Sequence, residues 1–259
     1  MSFFLIPLTA LIASILTFFS GFGLGTILLP VFAIYYPMPI AILLTASVHF
    51  SNNIFKIGLV FKSINWNLVL KFGLPSMLAA VVGAYLLKHM FNNPILILSY
   101  SISSQSYSIT LFNLIIGLLI IIFSLIEVIP ILKNRSFKSN KLMVGGVISG
   151  FFGGLSGHQG ALRSAFLVRL DLPKEMFIAT GTAIACLVDV SRMSIYAFTI
   201  DFSNAITHST ILIISVGFTI IGVYIGNKLL KKITVSFLKW TVTTFMLIIG
   251  LLITLGVII

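Results

Sequence analysis

Acidic side chains are nearly missing from this sequence: 259 residues carry five Asp or Glu. A soluble domain draws about 25% of its residues from the charged types, and this chain draws 8%. Charge this sparse excludes a water-exposed globular surface of this size. Cysteine is as scarce. The single Cys186 excludes an internal disulfide framework, and inside its apolar segment it reads as a packed thiol. CxxC and HExxH spacings are absent, as are paired catalytic carboxylates, a GxSG nucleophile and a Walker motif. Enzyme, metal-site and ATP-driven readings find no residues to carry them, and no cofactor is expected.

What the chain has instead is apolar length. Hydrophobic residues make up 59% of it and the mean hydropathy is +1.18. The expected class is an all-α, multi-pass integral membrane protein. A net charge of +11 raises nucleic-acid binding, but such binders gather Lys and Arg on one wet face. Here most basic residues flank apolar segments, as anchors of membrane spans do. The partner expected from this pattern is the bilayer, with no nucleic acid, and the composition allows a homo-oligomer. The first residues, Met1-Ser2-Phe3-Phe4-Leu5-Ile6, lack a basic start and a cleavage site, so they read as a retained membrane segment.

A full span needs roughly 20 apolar residues. Six segments qualify: 38–61, 66–88, 109–132, 176–200, 206–230 and 234–258. Two more stretches, 2–36 and 142–170, are too long for one straight helix. Each is cut by glycines, Ser20-Gly21-Phe22-Gly23-Leu24-Gly25 in the first and Gly153-Gly154-Leu155-Ser156-Gly157-His158-Gln159-Gly160 in the second. Glycine costs about 1 kcal/mol per helical position, so the clusters mark broken helices, or else kinks that serve close packing.

Positive charge decides between two arrangements. If each broken stretch crosses once, Lys56, Lys62, Lys71, Lys133, Arg135, Lys138 and Lys141 face one side. Lys88, Arg169, Lys174, Lys228, Lys231, Lys232 and Lys239 face the other, with no bias. If each stretch is a hairpin returning to its own side, only Lys88 is outside and the other thirteen are inside. The hairpin arrangement is preferred. It puts both termini and Asp201 outside.

The halves echo each other at a shift of 136 residues. Ser20-Gly21 falls on Ser156-Gly157, Pro37 on Pro173, Asn53 on Asp189 and Lys56 on Arg192. The order of elements also repeats: a broken hairpin, then three spans. One membrane domain is expected, with a first repeat over 1–135 and a second over 136–259, divided in the polar stretch 133–141. The hairpin arrangement makes the repeats inverted. Inverted repeats with broken helices in matching places are the sequence pointer to a secondary transporter that binds near the midplane.

Backbone outside a helix at membrane depth lines a cavity or is buried in protein. Half-helices starting near Gly25 and Gly160 would offer free N–H groups and partial positive charge, which favour an anion. The candidate substrate-binding residues are Gly21, Gly23, Gly25, Gly157, His158, Gln159, Gly160 and Arg163. Arg163 follows the second break, and its fork suits an oxyanion. An Arg at the bilayer centre costs about 2.5–3.5 kcal/mol on insertion scales; snorkelling or pairing with Asp189 is the alternative reading. His49, Asn52, Asn53 and Lys56 share one helix face at i, i+3, i+4 and i+7. Asp189 and Arg192, at i and i+3, form either an internal pair or part of a coupling path. These six are the candidate polar pathway, with His49 or Asp189 carrying a proton. His49 alone reads equally well as a satisfied core histidine. His89 and His208 read as interfacial, and 99–106 as an outer loop.

At the glycine breaks the sequence resembles the TauE/SafE-type sulfite exporter family of membrane permeases. The first motif reads Gly21-Phe22-Gly23-Leu24-Gly25-Thr26-Ile27-Leu28-Leu29-Pro30, followed by Pro37-Met38-Pro39 and Thr45-Ala46-Ser47. The second runs from Gly145-Gly146 through Gly153-Gly154-Leu155-Ser156-Gly157, followed by Leu172-Pro173 and Thr180-Gly181-Thr182. The resemblance spans nearly the whole chain. It implies a permease for sulfite or organosulfonates in a bacterial-type cytoplasmic membrane. Two departures fall at the binding positions: Leu24 stands for a glycine, and His158-Gln159-Gly160-Ala161 replaces most of the second motif. A passive anion channel would share these features but would need no titratable coupling residue.

Overall fold

The structure is a computed structural model that describes residues 2–20, 23–103, 105–128, 141–198, 208–229 and 236–258. Gly21, Asp201 and most of the 133–141 boundary lie outside the described residues. The described residues of the six expected spans are mostly helical, with 109–110 falling in a strand. In chain order the described helices are α1 Ser2–Ser20, α2 Leu24–Tyr35, α3 Met38–Val60, α4 Trp66–Asn92, α5 Leu111–Val128, α6 Leu142–Ser156, α7 Gln159–Leu167, α8 Lys174–Ala197, α9 Ser209–Leu229 and α10 Ser236–Thr254. Four of these are long and apolar enough to cross a membrane: α3, α4, α8 and α9. The described apolar stretches of α5 and α10 are shorter, Leu111–Ile126 and Thr243–Thr254.

Both glycine clusters break the helix. Gly23 has φ 104° and Gly157 has φ 79°, a left-handed conformation that a β-carbon opposes. The half-helices begin at Leu24 and Gln159, one residue before the glycines expected to open them. The second stretch folds back on itself. Near the break a β-carbon on Gly153 would press on Gln159, and at the open end one on Gly145 would press on the Phe166 ring. At 1.5 Å per residue α6 is about 22 Å long, short of a full crossing. After each hairpin a proline opens the next helix with nearly the same backbone: Pro37 has φ −52° and ψ 144°, Pro173 φ −50° and ψ 143°.

The rest of the glycine-rich second motif has another use. Gly146, Gly150 and Gly154 lie at i, i+4 and i+8 on one face of α6 and meet α4 at Phe72, Ser76 and Ala80. Any β-carbon there would overlap those carbonyl oxygens. Ser76 Oγ lies 2.9 Å from the Gly146 carbonyl oxygen across the same seam. The register advances in step, so α4 and α6 run parallel. In the other half α9 brings Gly222 against Leu11 and Ser14 of α1, and Gly226 against Phe18.

Packing partners exchange between the halves. α1 lies along α9, and its counterpart α6 lies along α4; α3 touches α9, and α8 touches α4. The paired elements α3 and α8 pack on each other, as do α5 and α10. One element has no counterpart among the described residues. Residues 99–106 are not a plain loop: they belong to an antiparallel hairpin, β1 Leu96–Ile102 and β2 Gln105–Thr110. Tyr100 and Tyr107 stack on it at 5.4 Å, and the Tyr100 hydroxyl donates to the Leu255 carbonyl at 2.7 Å. Lys56, on the polar stripe of α3, also enters the count of charges on one side of the membrane. It is no water-facing anchor, being 4% exposed.

Candidate functional site

Asp189, on the buried face of α8, is the centre of the polar site. Its carboxylate is 0% exposed and four side chains converge on it. On Oδ2, His49 Nδ1 lies at 2.6 Å and Asn53 Nδ2 donates at 3.0 Å. On Oδ1, Arg192 Nε donates at 3.0 Å and Gln159 Nε2 at 3.3 Å. Arg192 Nη2 is 2.9 Å from the same oxygen. The helical spacing explains the convergence: His49 and Asn53 are one turn apart on α3, and Asp189 and Arg192 one turn apart on α8. Asn53 and Asp189 occupy equivalent places in the two halves and touch each other. An ionised carboxylate only accepts, so the shared proton belongs on His49 Nδ1.

The network continues into the second break. Arg163 Nη1 donates to Gln159 Oε1 at 3.3 Å, and Arg163 lies against Gly181 of α8. His158 is 2% exposed. Its Nδ1 lies 3.2 Å from Ser156 Oγ, and its ring stacks on Phe123 of α5 at 5.8 Å. Gly160 sits in the first turn of α7.

The two breaks meet. The position a Gly25 β-carbon would take is 3.6 Å from the Gly157 carbonyl oxygen and 3.7 Å from the His49 ring. Gly23 caps the start of α2, one turn from the same junction. The His49 ring therefore turns its Nδ1 edge to Asp189 and its Cδ2 edge to the break.

Two expected pathway residues take other positions. Asn52 Oδ1 is 2.7 Å from Ser14 Oγ, which places its amide against α1. Lys56 Nζ reaches Thr17 Oγ1 at 3.5 Å and stands 5.7 Å from the Phe18 ring centre. Arg192, its counterpart, lies under Gly157, where a β-carbon would come 2.7 Å from Nη1. Each of these cations sits beside the C-terminal end of the first helix of a hairpin, where the helix dipole favours positive charge. Among the described residues, the buried cations are Lys56, Arg163 and Arg192, and the buried carboxylate is Asp189. No group of described His, Cys, Asp or Glu residues has a metal-binding arrangement.

Reading the sequence alone passes over Thr45, Ser14, Thr17 and Phe123. Thr45 extends the polar face of α3 by one more turn, at i−4 from His49, and that spacing could have found it. The other three come from elements distant in the chain.

The family description sulfite exporter TauE/SafE matches residues 6–253, including both breaks and the whole Asp189 network. The chain belongs to this family. No curated protein matches it, and no solved structure does. Membership makes it a membrane protein of a transporter family, and not of an enzyme class. In this TauE/SafE family member the central geometry is closed: Asp189, Arg192 and Gln159 are at most 1% exposed.

Proposed function

We propose that this chain is a secondary transporter that binds a small anion, a sulfur oxyanion or an organosulfonate, where its two helix breaks meet. One observation carries the reading: among the described residues, three buried cations, Lys56, Arg163 and Arg192, stand against one buried carboxylate, Asp189. Each buried ion costs several kcal/mol in lost hydration, and an entering anion offsets the positive excess. Arg163 offers a planar fork for an oxyanion. The first turns of α2 and α7 add N–H groups and positive dipole ends. The family description supports sulfur oxyanions as the substrate class.

The two halves, 1–135 and 136–259, are read as inverted repeats in one multi-pass domain of a bacterial-type cytoplasmic membrane. The exchanged packing, α1 on α9 and α6 on α4, supports this. Units related by a two-fold axis in the membrane plane allow the closed site to open to either face in turn. His49, with one edge on Asp189 and the other on the break, is the coupling residue in this reading. Protonation of its ring would follow arrival of the anion, so proton and anion move together.

The test is uptake of radiolabelled sulfite and sulfate by proteoliposomes, with and without an imposed proton gradient. Wild type should show saturable, gradient-driven uptake. Arg163→Ala, inserted with an unchanged unfolding midpoint, should lose at least about tenfold in uptake efficiency, as expected when a charge-assisted hydrogen bond of about 1.5–3 kcal/mol is removed. His49→Gln should still bind anion, measured by its effect on the unfolding midpoint, while uptake no longer responds to the gradient. Flux linear in concentration and blind to the gradient would make the protein a channel. No uptake of either anion by correctly inserted wild type would remove the sulfur-oxyanion assignment.

A further inference from the structure

Thr45 has no assigned task, yet its surroundings point to one. It lies on the same face of α3 as His49 and Asn53 and is 4% exposed. Helical hydroxyls in this protein usually satisfy themselves on the carbonyl one turn back. Ser47 donates to Leu43 and Ser51 to Ser47, each at 2.9 Å, and Thr182 donates to Ile178 at 2.8 Å. The Thr45 hydroxyl makes no such bond and has no partner among the described residues. An unsatisfied buried hydroxyl costs free energy, so its persistence calls for an acceptor that arrives with a ligand.

The location agrees. A β-carbon on Gly25 would stand 3.9 Å from Thr45 Cγ2, 3.7 Å from His49 Cδ2 and 3.6 Å from the Gly157 oxygen. Thr45 therefore borders the junction of the two breaks, on the first-half side. His158 Nε2, on the second-half side, is another buried polar atom without a partner among the described residues. Asn52 Nδ2 is a third, but its amide lies against α1.

Resting on the transporter reading above, we propose that the Thr45 hydroxyl donates to an oxygen of the transported anion at the junction of the breaks. Arg163 supplies charge, and Thr45 supplies a further donor from a separate helix.

The experiment compares wild type, Thr45→Val and Thr45→Ser in proteoliposomes. KM for sulfite is measured. Valine keeps the shape and removes the hydroxyl; serine keeps the hydroxyl and removes the methyl. Thr45→Val should raise KM about five- to tenfold, the cost of one lost hydrogen bond. Thr45→Ser should keep the wild-type KM. Sulfite should raise the unfolding midpoint of wild type and Thr45→Ser but much less that of Thr45→Val. A wild-type KM in Thr45→Val, or a Thr45→Ser variant as impaired as the valine one, would overturn the assignment. Wild type that takes up neither sulfite nor sulfate would overturn the transporter reading itself, a different result from a functional transporter indifferent to Thr45.

Discussion

Asp189→Asn keeps the shape of the central side chain and removes its charge. Arg192 and His49 then lose their only close anionic partner in the network. Breaking a buried pair from one side costs about 3–5 kcal/mol, because the other charge stays behind. The single variant should therefore show a much lower unfolding midpoint in detergent. Asp189→Asn combined with Arg192→Gln removes both charges and should recover part of the loss; a double variant as unstable as the sum of the singles would mean the two residues do not act as a pair. Much of this centre was legible from spacing, since His49 and Asn53, or Asp189 and Arg192, must share a face once the helices are recognised. The shift of 136 marks Asn53 and Asp189 as equivalents, but their contact was not legible from it. Lys56 shows the limit of spacing. It lies on the stripe, yet it turns to Thr17 and Phe18, because α1 passes there and no feature of α3 says so.

At the scale of elements, the glycines divide into three kinds that look alike in sequence. Gly23 and Gly157 turn the chain, Gly146, Gly150 and Gly154 let α6 touch α4, and Gly58 and Gly217 meet nothing within 4 Å. Gly150→Ala should destabilise by about 1–3 kcal/mol, the usual cost of overpacking, because its methyl overlaps the Ser76 backbone. Gly58→Ala should instead be neutral or stabilising by up to about 1 kcal/mol, from helix propensity. Thermal unfolding of the two variants side by side checks both; equal effects would refute the close seam. The β-hairpin is the element that the sequence reading missed. Its signal was present as period-two alternation in Ser99-Tyr100-Ser101-Ile102 and Ser106-Tyr107-Ser108-Ile109. A serine-rich stretch between two apolar helices reads as a loop only if that period is passed over.

For the whole molecule, the fold-back of α7 along α6 bears on topology. It returns the chain to the end of the pair where Gly145 meets Phe166, so Arg169 and Lys174 lie near the level of Lys141. Taking the buried Lys56 out of the charge count leaves twelve against one, which does not weaken the bias. In a background with Cys186 replaced, cysteines at Lys71 and Lys174 should react with an impermeant thiol reagent from the same side of the membrane, and one at Lys88 from the opposite side. Labelling of Lys174→Cys together with Lys88→Cys would rule out the hairpin and restore a single crossing.

Composition by itself determined that this chain belongs in a bilayer, because five carboxylates cannot keep so much apolar surface in water. Glycine clusters determined where its helices break, since that effect acts locally along the chain. Only the tertiary structure decided which of those features form a site. The approach of Gly25 to Gly157, the four donors on Asp189 and the unsatisfied hydroxyl of Thr45 depend on how α2, α3, α7 and α8 pack. Packing joins residues more than a hundred positions apart, and neither hydropathy nor helical period reaches that far.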